Sequence, residues 1–175
     1  VDLMGGTITC ESEVEKGTTF TVRLNLPIVD QQPVTKQEGH LEDDDVRGLH
    51  LLVAEDNELN WEVIEILLEE FGVTCERVEN GRLCIEQLLA NPAGTYDAVL
   101  MDVQMPEMNG LEASQRIRNL DEAALRNIPV IAMTADAFAE DVQACISSGM
   151  NGHMAKPIDT IVLLNYLKKI KNKMF

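Results

Sequence analysis

From Leu49 onward the chain repeats one unit five times, a short apolar run followed by an amphipathic stretch with helical spacing. The runs are Leu49–Ala54, Val73–Val78, Tyr96–Met101, Pro129–Met133 and Gly152–Ala155, all of strand length. Helices are expected over Leu59–Glu70, from Asn80, over Leu111–Leu120, over Phe138–Ser148 and from Asp159. Their inward residues are read as Leu59, Val63, Ile66 and Leu67; then Leu83, Ile85, Leu88 and Leu89; then Ile117; then Phe138, Val142, Cys145 and Ile146; and last Leu163, Leu167 and Ile170. Strand–helix alternation of this kind closes as a parallel sheet with right-handed crossovers and helices on both faces, so the fold class is α/β, doubly wound and five-stranded.

What lies at the end of each run matters for function. Tyr96–Met101 stops on Asp102 and gives way to Val103-Gln104-Met105-Pro106-Glu107-Met108-Asn109-Gly110, a loop by its Pro, Asn and Gly. A lone aspartate in such a place is ordinarily a cap or a turn residue. Here the other runs also end on polar groups, Glu55-Asp56, Glu79-Asn80, Thr134 and Lys156. Ligands of doubly wound sheets gather at the carboxyl edge of the strands, so these ends are expected to share one crevice.

Glu55, Asp56 and Asp102 brought together repel one another unless a cation sits among them. Carboxylate oxygens without His or Cys suit magnesium. Lys156 adds a fixed positive charge and Thr134 a hydroxyl. Cations and a donor around one carboxylate make a place for a dianion that becomes attached to it, which is the arrangement phosphoryl transfer to Asp102 requires.

The stretches Ala-Glu-Asp-Asn (54–57), Leu-Met-Asp-Val-Gln-Met-Pro-Glu-Met-Asn-Gly (100–110), Ile-Ala-Met-Thr-Ala (131–135) and Ala-Lys-Pro-Ile (155–158) together resemble the receiver domain of two-component signalling. The resemblance implies the strand order 2-1-3-4-5, with Asp102 as phospho-acceptor. It implies Mg2+ held directly by Asp56 and Asp102, by Glu55 through water and by the carbonyl of Gln104. Thr134 and Lys156 would bind the phosphoryl group, with a cis peptide before Pro157. Thr134 would also take part in switching. His153 stands where the family usually has Tyr or Phe, and reads equally as an imidazole version of the aromatic switch or as a half-exposed strand residue. Gln104 and Asp136 resemble the positions that tune phosphoaspartate lifetime. Trp61 reads as a half-exposed packing residue that would report metal binding by its fluorescence.

Ahead of the repeats, residues 1–27 read as a helix end, a Gly5-Gly6 break and two strands. The second strand alternates Phe20, Val22, Leu24 and Leu26 against Thr19, Thr21, Arg23 and Asn25. Met-Gly-Gly-Thr-Ile (4–8) and Gly-Thr-Thr-Phe-Thr-Val (17–22) resemble the tail of the ATP-binding domain of sensor histidine kinases. The boxes that bind nucleotide are missing from this stretch, so the chain is expected to accept a phosphoryl group, with autophosphatase activity open, rather than to use ATP. Residues 28–48, with Glu42-Asp43-Asp44-Asp45, read as a linker, and 49–175 as the receiver.

The resemblance therefore implies the receiver of a hybrid kinase, fed by a histidine-phosphorylated kinase domain and relaying to a histidine phosphotransfer domain, with a homodimer left open. A response-regulator receiver with its output domain elsewhere is the alternative. An aspartate-nucleophile phosphohydrolase would want a second Asp where Gln104 stands, and a flavodoxin-like cofactor binder would want a phosphate loop where Glu55-Asp56-Asn57-Glu58 stands.

A formal charge of −16 excludes nucleic acid and anionic membrane surfaces as natural partners. The four cysteines have no paired spacing and read as small buried hydrophobes of a reducing compartment. No apolar run reaches spanning length and no signal peptide is recognised, so the expected location is cytoplasmic.

Overall fold

The computed structural model describes residues 6–13, 16–24, 45–135 and 139–175. They fall in two compact units, divided between His40 and Leu41. Asp136, Phe138, the helix end at Val1–Met4, Asn25 and Leu26, and most of the expected linker lie outside the described residues.

The first unit is a hairpin of β1 (Thr7–Glu13) and β2 (Gly17–Arg23), paired antiparallel with Cys10 opposite Phe20 and Ile8 opposite Val22. That register puts Ile8, Cys10, Phe20 and Val22 on one face and Thr7, Thr9, Thr19 and Thr21 on the other, as the alternation predicts. Both faces are exposed. Cys10 is therefore no buried hydrophobe, whereas Cys84 and Cys145 are buried and Cys75 half-buried.

The second unit is the doubly wound sheet. Its strands are β3 (His50–Ala54), β4 (Thr74–Val78), β5 (Ala98–Asp102), β6 (Val130–Thr134) and β7 (Gly152–Ala155). All neighbours pair parallel in the spatial order β4-β3-β5-β6-β7, which is 2-1-3-4-5 counted within this sheet. The helices are α1 (Glu58–Glu70), α2 (Gly81–Ala90), α3 (Gly110–Arg118), α4 (Ala123–Arg126), α5 (Ala139–Ser147) and α6 (Thr160–Lys171). The short α4 is absent from the sequence reading, since four residues carry no periodicity.

Side chains cap the helix starts. Asn57, Asn80, Asn109 and Asp159 accept backbone N–H groups from the first turns of α1, α2, α3 and α6. The sheet separates two cores. One joins Leu51, Val53, Leu100, Ile131 and Met133 to Ile64 and Leu68 of α1 and to Leu163, Leu167 and Ile170 of α6. The other joins Leu52, Val99, Met101 and Val130 to Cys84 and Leu88 of α2 and to Ala113 and Ile117 of α3. Val46 is already buried in the first core, so packing begins ahead of the boundary expected at Leu49.

Three helix faces differ from expectation. On α1, Leu59, Val63 and Ile66 are exposed by 71%, 54% and 56%, and Ile64 and Leu68 point inward in their place, with Trp61 and Leu67 half-buried against the core. On α2 Leu89 faces out, and on α5 Ile146 does. Among the described residues no helix is long and apolar enough to cross a membrane.

Candidate functional site

Parallel strands deliver their last residues to one edge. Glu55 and Asp56 follow β3, Asp102 ends β5, Thr134 ends β6 and Lys156 follows β7. The fifth polar end has another use, because the Asn80 side chain caps α2 and Glu79 is exposed.

Single carboxylate oxygens of Glu55, Asp56 and Asp102 all lie within 4.8 Å of one another. Glu55 is fully buried, Asp102 is 5% exposed and Asp56 faces solvent. Lys156 bridges the two buried acids, with Nζ 2.5 Å from Glu55 Oε2 and 2.7 Å from Asp102 Oδ2. The other oxygen of Asp102 accepts the backbone N–H of Gln104 at 3.1 Å. Desolvation pushes the Asp102 carboxyl above its ordinary value, and Lys156 and the Gln104 N–H pull the other way. Two donors hold this desolvated carboxyl group in one orientation.

The remaining expected residues take their places as follows. Thr134 is buried, and its carbonyl accepts the N–H of Lys156 at 2.8 Å, which ties the ends of β6 and β7 together. Gln104 is exposed in the loop after β5. The Lys156–Pro157 peptide is cis, as the resemblance implies. His153 is half-buried, and its backbone N–H and C=O both bond the Tyr166 hydroxyl of α6, at 3.1 and 3.0 Å. Asp136 is outside the described residues.

A family model for the response regulator receiver domain matches residues 51–168. The chain belongs to the receiver family. It is 34% identical over 170 residues to the aerobic respiration control sensor protein ArcB of Escherichia coli, covering 95% of this chain and 20% of that protein. It is 36% identical over 128 residues to probable histidine kinase 6 of Oryza sativa subsp. japonica, covering 64% of this chain and 13% of that protein. The chain thus spans a fifth or less of the full length of these relatives. Among solved structures it resembles the receiver domain of sensor histidine kinase PA1611 from Pseudomonas aeruginosa, a structure with a magnesium ion coordinated in the active site cleft. That match has 34% identity and a TM-score of 0.63, and covers 71% of this chain and 98% of that one.

The residues of this receiver fit a hard divalent cation: three acids converge, no soft ligand is among them, and an ammonium already lies between two of them.

Three supporting residues of this receiver escaped the sequence reading. Arg77, on β4, donates from Nε to the carbonyl of Glu55 at 3.0 Å and from Nη2 to that of Asp56 at 2.9 Å. Asn60 Nδ2 donates to Glu55 Oε1 at 2.8 Å. Gly110 begins α3 directly behind Asp102, where a Cβ would come within 2.2 Å of the Asp102 carbonyl oxygen. Only Gly110 carried a sequence signal, as the last residue of the Met-Pro-Glu-Met-Asn-Gly loop.

Proposed function

We propose that Asp102 takes a phosphoryl group from a phosphohistidine and passes it on within a phosphorelay. The observation that carries this reading is the Lys156–Asp102–Glu55 contact, which sets the buried Asp102 carboxyl against a cationic group and a second acid at the sheet edge. An Asp102 oxygen attacks phosphorus, the P–N bond to the donor imidazole breaks, and the leaving imidazole takes up a proton. Lys156 neutralises charge on the transferred oxygens once it releases a carboxylate, and the Thr134 hydroxyl donates to another. Asp56, Asp102, the Gln104 carbonyl and, through water, Glu55 would hold Mg2+. When bound it supplies charge neutralisation for the three acids and the incoming dianion.

The hybrid-kinase origin rests on the ArcB match, which runs over 95% of this chain and so takes in the hairpin as well as the receiver. In this reading residues 1–27 are the end of a kinase ATP-binding domain, 28–48 a linker and 49–175 the receiver, acting in the cytoplasm. His153 and Thr134 serve as the switch, and Gln104 and Asp136 set the phosphoaspartate lifetime.

The partner is a histidine-bearing helix of a kinase or phosphotransfer domain. Leu59, Val63 and Ile66 form an apolar stripe on the exposed side of α1. A small cleft lined by Val63, Ile64, Pro157 and Ile158 continues that stripe to Lys156, so a helix laid there brings its side chains to the acceptor.

The test is incubation with acetyl phosphate and Mg2+ followed by intact mass. The wild type gains one phosphoryl group and Asp102→Asn gains none. An unmodified wild type overturns the assignment.

A further inference from the structure

Glu55 stands where the receiver resemblance makes Asp common, and its longer arm has one more torsion to fix. It is also fully buried, where an unheld carboxylate is costly. Its two oxygens are divided between two directions. Oε2 faces Lys156 and the acceptor, whereas Oε1 accepts Asn60 Nδ2–H at 2.8 Å and the backbone N–H of Asn57 at 3.3 Å. The carboxylate has no proton to give, so the carboxamide of Asn60 must present its amino group there.

Asn60 is itself held in place. The Asn57 side chain caps α1 by accepting the Asn60 N–H at 3.1 Å. The capping residue thus fixes the backbone of Asn60, and Asn60 fixes the acid that precedes the cap. An asparagine in a first helical turn is ordinarily a solvated residue. This one sends its donor to the one fully buried carboxylate among the described residues.

We propose that Asn60 is a positioning residue that anchors Glu55 Oε1 and so turns Oε2 toward the metal position. This rests on the magnesium reading of the site. A group acting through a metal-binding carboxylate in this way tunes affinity without touching the ion.

The experiment titrates the full chain with MgCl2, read by Trp61 fluorescence and, with Mn2+ as probe, by water-proton relaxation. Asn60→Ala raises the Mg2+ midpoint about tenfold, and so does Asn60→Leu, which keeps the shape and removes the donor. Melting temperatures without metal fall, because a buried carboxylate loses one donor, and the titrations are run well below them on folded protein. The deciding arm is a double-mutant cycle. Asp in place of Glu55 is too short to use Asn60, so adding Asn60→Ala to Glu55→Asp weakens binding no further. A wild-type midpoint for Asn60→Ala, or the same tenfold loss in the Glu55→Asp background, overturns the positioning role while leaving the metal site intact. A wild type without any Mg2+ or Mn2+ response overturns the metal reading and this inference together.

Discussion

Arg118, the last residue of α3, shows how much a single side chain holds at the end of the sheet away from Asp102. Its guanidinium donates to the carbonyls of Gly149, Arg126 and Ile128 at 2.8, 2.9 and 2.9 Å, and to Asn151 Oδ1 at 2.7 Å. Asn151 Oδ1 also accepts the N–H of Val130, the first residue of β6. Burial lowers the Arg118 pKa, a cost that four acceptors offset. Lysine offers no planar fork to reach them all. Arg118→Lys is therefore expected to lose about 2–3 kcal/mol and Arg118→Ala about 4 kcal/mol, at roughly 1 kcal/mol net per lost bond. Urea denaturation measures both, and an unchanged midpoint for Arg118→Ala would remove the role. Sequence made the convergence of polar residues at the sheet edge legible and left residues like Arg118 hidden. Asp102, Asp56, Thr134 and Lys156 end apolar runs, so strand periodicity alone lines them up. Arg118, Arg77 and Asn60 act through contacts between separate elements, and nothing in their local spacing marks which carbonyl or carboxylate they will meet.

At the scale of elements, α6 and α1 show where periodicity suffices and where it does not. On α6 Leu163, Leu167 and Ile170 are buried as the spacing predicts, with Lys168, Lys169 and Lys171 in the last turn, although Ile161 and Val162 of the first turn stay exposed. On α1 two stripes satisfy helical spacing, Leu59–Val63–Ile66 and Trp61–Ile64–Leu68. A period of 3.6 residues fits both and cannot choose between them. The sheet chooses by how the chain leaves β3: Glu55 is buried in the crevice and Asn57 caps the helix, which turns Ile64 and Leu68 inward. The rejected stripe is then left facing solvent beside Lys156, where folding makes no use of it. Replacing Leu59, Val63 and Ile66 by serine should change folding stability by no more than about 0.5 kcal/mol per site, as for ordinary surface positions. Labelling by acetyl phosphate should be unaffected. Transfer from a phosphorylated histidine phosphotransfer domain should fall at least tenfold, about 1.4 kcal/mol, if these residues are anchors of the docking surface. Equal transfer rates for the triple variant and wild type would rule the stripe out.

At the scale of the whole molecule, the two units differ in what holds them. Every residue of both hydrophobic cores lies between Val46 and Ile170, within the second unit. The hairpin's described strands carry their apolar residues in the open, with Phe20 exposed by 67%, and two strands without a buried face are marginal in water. Loss of periodicity after residue 27 is the sequence's sign of a break, and Val46 gives no sign at all, because one valine before the first strand forms no pattern. Val46, buried in the first core, puts the start of the packed unit ahead of Leu49. A fragment of residues 45–175 is therefore expected to melt cooperatively within about 2–4 °C of the full chain, the shift that roughly 1 kcal/mol produces in a domain of this size. It should also take up one phosphoryl group from acetyl phosphate with Mg2+ at the rate of the full chain. A fragment starting at Leu49 loses Val46 and should melt lower, by the roughly 1.5–3 kcal/mol that burial of a valine side chain contributes. Calorimetry on the three proteins separates these outcomes. If the fragments starting at 45 and at 49 melted alike, the core would not reach back to Val46, and if both failed to fold, the first unit would be part of the receiver's stability.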